Sequence, residues 1–166
     1  MNRDKKIIIL SLYVAMASVL QMSENLLPSI LPGIRIGFAN IITLIVLYKY
    51  AFKHAMIVAV LRVIVSSLLL GTFLGPSFVL SFSGAVVSAM IMGIIYKPVR
   101  EGFSIIGISI LGALSHILTQ FFIVYYLFVL QANLLWMLPV IIIGSILSGI
   151  VTGLIARFVI RKEFRM

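Results

Sequence analysis

Long apolar runs separated by short breaks dominate the pattern of this chain. Six runs can be drawn, each close to the length of about 20 residues that an α-helix needs to cross a bilayer. They cover residues 7–27, 36–52, 55–74, 77–96, 104–130 and 134–160. Proline and glycine interrupt the chain at Pro28, at Gly75-Pro76 and at Pro98. The pattern predicts an all-α integral membrane protein whose six transmembrane helices form a single domain over residues 1–166.

Composition supports lipid as the main solvent. The chain is 63% hydrophobic and 10% charged, whereas soluble domains carry about 25% charged residues. A soluble domain of this length exposes too much surface to bury that much apolar side chain.

The first run also has the features of a cleaved signal peptide, since Ala15-Met16-Ala17 resembles a cleavage site. We favour a spanning helix, because the run continues past that site to spanning length.

The basic residues predict the orientation in the membrane. The net charge is +9, and the charges lie in short clusters between the apolar runs instead of on an amphipathic surface, so we expect no nucleic-acid partner. The clusters lie at both termini and in the second and fourth connections, which are on one side of a six-span protein. Among the connections on the other side, only the first carries a basic residue, Arg35. The positive-inside rule then predicts a plasma-membrane protein with both termini in the cytoplasm. The clustered residues are Arg3, Lys5, Lys6, Lys49, Lys53, Lys97, Arg100, Arg157, Arg161, Lys162 and Arg165.

Polar side chains at membrane depth are the main candidates for function, because they are costly in hydrocarbon and usually face a bundle interior or a cavity. Arg62 lies about 12 Å into the third run at 1.5 Å per residue. Ser109, His116 and Gln120 fall within an arc of about 40° on the fifth run. The alternative for Arg62 is a structural role, in which it bonds helix ends inside the bundle. For His116 it is plain packing.

The first run has two distinct faces. Gln21 and Glu24 lie on one face, near the outer end, and we predict that this face points inward. On the opposite face the small residues Ser11, Ala15 and Ser18 recur at helical spacing, which is typical of close helix–helix contact. These three residues are candidates either for docking a partner protein or for packing within the bundle.

The first outer connection, residues 28–40, is apolar but broken by two prolines and two glycines. Irregular backbone at membrane depth must line a cavity or lie at the interface. The polar residues near it therefore predict a pocket open to the outside, for a ligand with an apolar body and a polar or anionic head. The alternative is an interfacial turn in which Arg35 contacts lipid phosphate. The predicted ligand-binding residues are Gln21, Glu24, Arg35, Asn40, Arg62, Ser81, His116 and Gln120.

These residues resemble a known family, the Gx transporter family, also labelled heptaprenyl diphosphate synthase component I. The resemblance implies a six-helix fold like that of the S components of energy-coupling factor importers, which bind a vitamin-like ligand from outside. It also implies a transmembrane coupling subunit and ATPases as partners. Ile117 departs from the pattern, since family members often carry Asn directly after the histidine. The resemblance rests on residues 32–44, on 52–55, on Leu61-Arg62-Val63, on Gly107-Ile108-Ser109, and on His116 and Gln120.

The residues argue against the enzyme that the second label suggests. Prenyl diphosphate synthases hold magnesium through aspartate-rich motifs, since hard cations need several oxygen ligands, and this chain has one Asp, Asp4. It has no cysteine and no phosphate loop. We expect no catalysis, no metal site and no cofactor. A substrate-binding importer subunit is the leading hypothesis. The alternatives are a quinone- or isoprenoid-handling or redox membrane subunit, and a structural scaffold without ligand.

Overall fold

The computed structural model describes residues 3–24, 37–96, 104–129 and 132–163, and these form a helical bundle. A π-helical segment, Val124–Val129, continues α5, and a 3₁₀ helix, Ala132–Met137, precedes α6. Over these ranges the chain contains no β-strand, which confirms the all-α prediction. The α-helices are α1 (Arg3–Glu24), α2 (Asn40–Lys49), α3 (Phe52–Leu69), α4 (Pro76–Tyr96), α5 (Ile105–Ile123) and α6 (Leu138–Glu163).

Five helices are long and apolar enough to cross a membrane, and α2 is not one of them. The sequence predicts a spanning helix over residues 36–52, but α2 has 10 residues. At 1.5 Å per residue it is about 15 Å long, half of a hydrocarbon core of about 30 Å. Part of the preceding connection, residues 25–36, lies outside the described residues. The structure therefore supports a multi-pass membrane protein, and a sixth span stays a prediction.

Two contacts, from the middle and the second half of α1, show that it runs parallel to α3. Tyr13 lies beside Tyr50, just before α3 begins, with ring centroids 6.2 Å apart. Further along, the hydroxyl of Ser18 donates to the carbonyl oxygen of Arg62 at 3.3 Å. Both helices therefore start at the same end of the bundle, and α2 must run the opposite way to connect to α3.

The pairs α4–α5 and α5–α6 are antiparallel and closely packed. The Ser88 hydroxyl donates to the carbonyl oxygen of Gly112 at 2.8 Å across α4 and α5. On α6, a Cβ added to Gly149 would lie 2.6 Å from the Cα of Ile110, so only glycine permits this approach of α5 and α6. The small residues that the sequence shows on α4 and α6 thus serve helix packing.

The helix directions bring the start of α1 and the end of α6 to one end of the bundle, where Leu10, Leu47 and Ile160 share an apolar cluster. Lys6, Lys49, Lys53, Arg161 and Lys162 lie at the same end, which we call the basic end. The assignment of this end to the cytoplasm stays a prediction from the charge pattern. Large apolar side chains are exposed around the bundle, for example Leu12, Ile94 and Phe158, as expected for a surface in contact with lipid.

On the second face of α1, the structure separates Ser18, which packs within the bundle, from Ser11 and Ala15. Ser11 and Ala15 are exposed, but Ser18 is 2% exposed and is bonded to Arg62 and to the Val14 carbonyl oxygen. Ser18 therefore faces α3 and does not share an outer surface with the other two. The reason is that α3 packs broadly across α1, which buries a small residue on the flank of the inward face.

Candidate functional site

Arg62 lies at the centre of a buried polar cluster. Its side chain is 2% exposed and is among the largest fully enclosed side chains of the protein. Nη2 donates to Oδ1 of Asn40 at 2.8 Å, and Nη1 donates to Oε1 of Gln21 at 3.4 Å. Three of the predicted residues, from α1, α2 and α3, thus meet at one guanidinium group. Such contacts satisfy a charge that would otherwise be very costly inside a membrane protein.

The cluster lies near the middle of the bundle. Arg62 is about 15 Å beyond the start of α3, and His116 is about 16 Å beyond the start of α5, at 1.5 Å per residue. Both helices start at the basic end, so the two side chains lie at nearly the same depth. Because Asn40 is the first residue of α2 and bonds to Arg62, α2 begins at this depth and runs back to the basic end.

Glu24 connects the C-terminal end of α1 to the start of α2. Its Oε1 accepts hydrogen bonds from the backbone N–H groups of Gly37 and Phe38, the latter at 2.9 Å. Gly37 has a φ of +89°, in the left-handed region that favours glycine. A carboxylate at this position also complements the positive end of the α2 dipole. Glu24 therefore holds the turn that brings Asn40 to Arg62.

His116 reaches the same region from α5. Its Nε2 lies 3.1 Å from Nε2 of Gln120, which is 0% exposed. Because the amide nitrogen is a donor, Nε2 of His116 accepts in this pair. Next to Gly37, an added Cβ would lie 3.5 Å from the His116 ring and 3.0 Å from Nδ2 of Asn40. Asn40 and Gly37 thus lie between Arg62 and His116, and the two sides form one continuous polar region.

Gly84 of α4 closes this region on the other side of His116. A Cβ added to Gly84 would lie 3.0 Å from Nδ1 of the histidine ring and 3.1 Å from its backbone oxygen. Ser81 lies one turn before Gly84 on the same face of α4. Since α4 and α5 are antiparallel, that turn brings Ser81 to the level of Gln120. Across the bundle from α3 to α4, the neighbouring groups are therefore, in order, Arg62, Asn40, Gly37, His116 and the helical turn that contains Gly84.

Several buried polar atoms in this region have no hydrogen-bond partner among the described residues. They are Nδ2 of Asn40, Oγ1 of Thr43 and Oγ of Ser81, and their side chains are 7%, 1% and 3% exposed. A buried polar group without a partner costs about 1–3 kcal/mol. Such atoms are common where a protein binds a ligand or ordered water. They are the donors and acceptors that a bound molecule would meet.

The structure thus brings together Gln21, Asn40, Arg62, His116 and Gln120, with Ser81 close by. Glu24 also borders the cluster, where it bonds to backbone N–H groups. Arg35 lies outside the described residues. Whether these residues bind a ligand stays a prediction.

Sequence reasoning missed Thr43 and Gly37. Thr43 follows Asn40 on the buried face of α2, and a threonine in an apolar run carries a weak signal. The position of Gly37 depends on Glu24, which no local pattern shows. Across the described part of the chain, no group of three or more His, Cys, Asp or Glu residues is arranged to hold a metal ion.

Comparison with known proteins identifies a family for this chain. No curated protein and no solved structure matches the chain. The family model described as heptaprenyl diphosphate synthase component I matches residues 13–159, a range that includes the second half of α1 and all the residues of the polar cluster. The match confirms the resemblance found in the sequence. The chain therefore belongs to the heptaprenyl diphosphate synthase component I family, which also carries the Gx transporter label.

Proposed function

We propose that this protein is the substrate-binding subunit of a small-molecule importer of the energy-coupling factor type. The observation that carries the proposal is the meeting of Gln21 and Asn40 at the buried Arg62, halfway along the bundle. His116 and Gln120 of α5 extend this polar region on the far side of Asn40 and Gly37. A scaffold without ligand would gain little from an arginine at this depth, because apolar side chains of similar volume pack there without a desolvation penalty.

The chemistry of the cluster favours a ligand with an anionic or strongly hydrogen-bonding head. A guanidinium group suits carboxylate and phosphate oxygens, since it offers several donors in a planar fork. The amide Nδ2 of Asn40 and the Ser81 and Thr43 hydroxyls supply further donors.

Transport would need further subunits. The chain has no phosphate loop, so a separate ATPase pair and a transmembrane coupling subunit would supply the energy. Ser11 and Ala15 are exposed on α1 and offer a place where a partner helix approaches closely. Ser18 does not take part, because it is bonded to α3.

The test is to identify small molecules that the full chain retains after gentle extraction. Untargeted mass spectrometry should find a compound enriched with the wild type and absent from Arg62→Met. Ser109→Ala is the control, because Ser109 is also buried and polar but bonds to Thr152 at 2.8 Å, across the α5–α6 contact. Equal retention by the wild type and Arg62→Met would reject the binding role of the cluster.

The second candidate is an isoprenoid- or quinone-handling membrane subunit. The observation that favours it is the family description, which names a component of heptaprenyl diphosphate synthase. In that case the compound retained by the wild type would be a prenylated molecule, and no ATPase or coupling subunit would purify with the protein. Affinity purification followed by protein and lipid mass spectrometry separates the two functions.

A further inference from the structure

A second polar feature lies at the basic end, away from the Arg62 cluster. Residues 47–52 and Tyr96 surround an open cleft of about 350 Å³ between the α2–α3 turn and the end of α4. That volume is at the lower end of the range for small-molecule sites. The rings of Tyr48 and Tyr96 are 4.7 Å apart and form one wall. Leu47 and Phe52 contribute apolar surface.

Lys49 lines the cleft and is held by aromatic rings. Its Nζ donates to the Tyr13 hydroxyl at 3.3 Å. The same ammonium group lies 5.9 Å from the centroid of the Tyr13 ring and 6.0 Å from that of Tyr50. Cation–π contacts of this kind are worth about 0.5–1 kcal/mol each at exposed sites. They restrict a side chain that is otherwise flexible, and so reduce the entropy lost when it binds an anion.

The surroundings of the cleft are strongly positive. Lys6 of α1 and Lys53 of α3 both lie within electrostatic range of His54. The His54 ring is in turn 6.1 Å from the ring of Tyr50. Asp4 and Glu163 also lie at this end, but the basic residues outnumber them, and a net positive charge around a cleft with apolar walls concentrates anions. The ligand that fits is therefore an anion.

From this arrangement we propose that the cleft at the basic end binds a phosphate group. Lys49 would supply the positive charge, the Tyr48 and Tyr96 hydroxyls would donate hydrogen bonds, and the apolar walls would contact whatever the phosphate is attached to. A lysine recognises phosphate as a point charge, and phenol hydroxyls complete the set of donors. The phosphate belongs either to a lipid headgroup or to a soluble phosphorylated molecule. The inference does not depend on the role of Arg62.

The competing explanation is general attraction between interfacial lysines and anionic membranes. In that case Lys53, which is exposed one turn further on and does not line the cleft, would contribute as much as Lys49. The pair Lys49→Gln and Lys53→Gln therefore separates a site from a diffuse field, because each variant removes one charge from the same end of the bundle.

The experiment is native mass spectrometry of the full-length protein in neutral detergent. Phosphatidic acid and inorganic diphosphate are titrated separately, with phosphatidylcholine as the reference, because the choline group blocks its phosphate and brings its net charge to zero. We expect Lys49→Gln to weaken binding about tenfold, in line with the loss of one charge-assisted hydrogen bond. Lys53→Gln should weaken it less than about twofold. Lys49→Arg should retain binding, and Tyr96→Phe should weaken it about threefold.

The two probes distinguish the sources of the phosphate. Binding of phosphatidic acid alone assigns the cleft to a lipid headgroup, and binding of diphosphate that displaces phosphatidic acid assigns it to a soluble ligand. The proposal is overturned if neither probe binds better than phosphatidylcholine, or if Lys53→Gln weakens binding as much as Lys49→Gln. Thermal unfolding of each variant establishes that the bundle is intact.

Discussion

The hydrogen bond between Arg62 and Asn40 allows a test of why an arginine is buried at this depth. The single variants Asn40→Ala and Arg62→Met should differ in how much they lower the free energy of unfolding. Asn40→Ala keeps the buried charge and removes the hydrogen bond at 2.8 Å to Oδ1 of Asn40. Arg62→Met removes the charge and keeps a side chain of similar length. If Arg62 is retained for ligand binding, then the second change should affect stability less than the first.

The magnitudes follow from the contacts. A hydrogen bond to a charged group contributes about 1.5–3 kcal/mol, so Asn40→Ala should destabilise the protein by about 2 kcal/mol. Arg62→Met also leaves Asn40 and Gln21 without their partner, at about 1 kcal/mol each. It relieves the desolvation of a guanidinium that is 2% exposed, which offsets most of that loss. We expect a net change within about 1 kcal/mol.

The assay is thermal unfolding of both single variants and the double variant in the same detergent. Once Arg62 is absent, Asn40→Ala has little further effect, so the double variant should resemble Arg62→Met. The coupling free energy of the cycle should then be about 2 kcal/mol. Ser109→Ala, outside the cluster, should add to Arg62→Met without coupling.

The reasoning is refuted if the effects of Asn40→Ala and Arg62→Met simply add. It is also refuted if Arg62→Met alone destabilises the protein by more than about 3 kcal/mol. That result would identify Arg62 as a structural residue, and the importer proposal would lose its main support.

Two further variants test the framework around the cluster. Gly149→Ala should destabilise the bundle by about 2–3 kcal/mol in thermal unfolding, because its Cβ would lie 2.6 Å from Cα of Ile110. Wild-type stability would contradict the close contact of α5 and α6. Glu24→Gln should cost about 1 kcal/mol, since a neutral amide accepts more weakly from Gly37 and Phe38. Hydrogen exchange of the peptide that contains these two amides should accelerate, and unchanged exchange would contradict the role given to Glu24.

Much of the bundle could be predicted because lipid imposes simple rules. Apolar runs of spanning length must be helical, since no water is available to satisfy the backbone. Polar side chains within such runs must face inward, which is why Gln21, Arg62 and His116 could be placed in the interior from their positions alone. The common depth of Arg62 and His116 follows from the helix rise and the direction of each helix.

The start of α2 could not be predicted in the same way. Asn40 interrupts the apolar run that begins at Ile36, but one polar residue fits a helix start and an inward-facing position within a longer helix equally well. The helix begins there because Glu24, 13 residues before Gly37, accepts from the backbone N–H group of that glycine. A contact over that separation leaves no periodic signal in the sequence.

Two other features depend on which helices are neighbours. Helical periodicity gives the direction in which Ser18 points from α1, but not how much of the α1 surface α3 covers. Ser18 is buried because α3 covers that part of the surface. Lys49 could be assigned only as a charge that sets orientation. Its place between Tyr13 and Tyr50 depends on α1 passing the α2–α3 turn.

The proposed importer function requires that a molecule can reach the buried polar cluster from the end of the bundle opposite the basic end. The absence of cysteine from the chain allows single-cysteine labelling without background. Ser81→Cys places a thiol where the serine has no partner among the described residues. Ser88→Cys, two turns deeper on the same face, replaces a hydroxyl bonded to Gly112. We expect a small, membrane-impermeant thiol reagent added outside to label Ser81→Cys and not Ser88→Cys, whereas no reaction at either position, or equal reaction at both, would contradict this access.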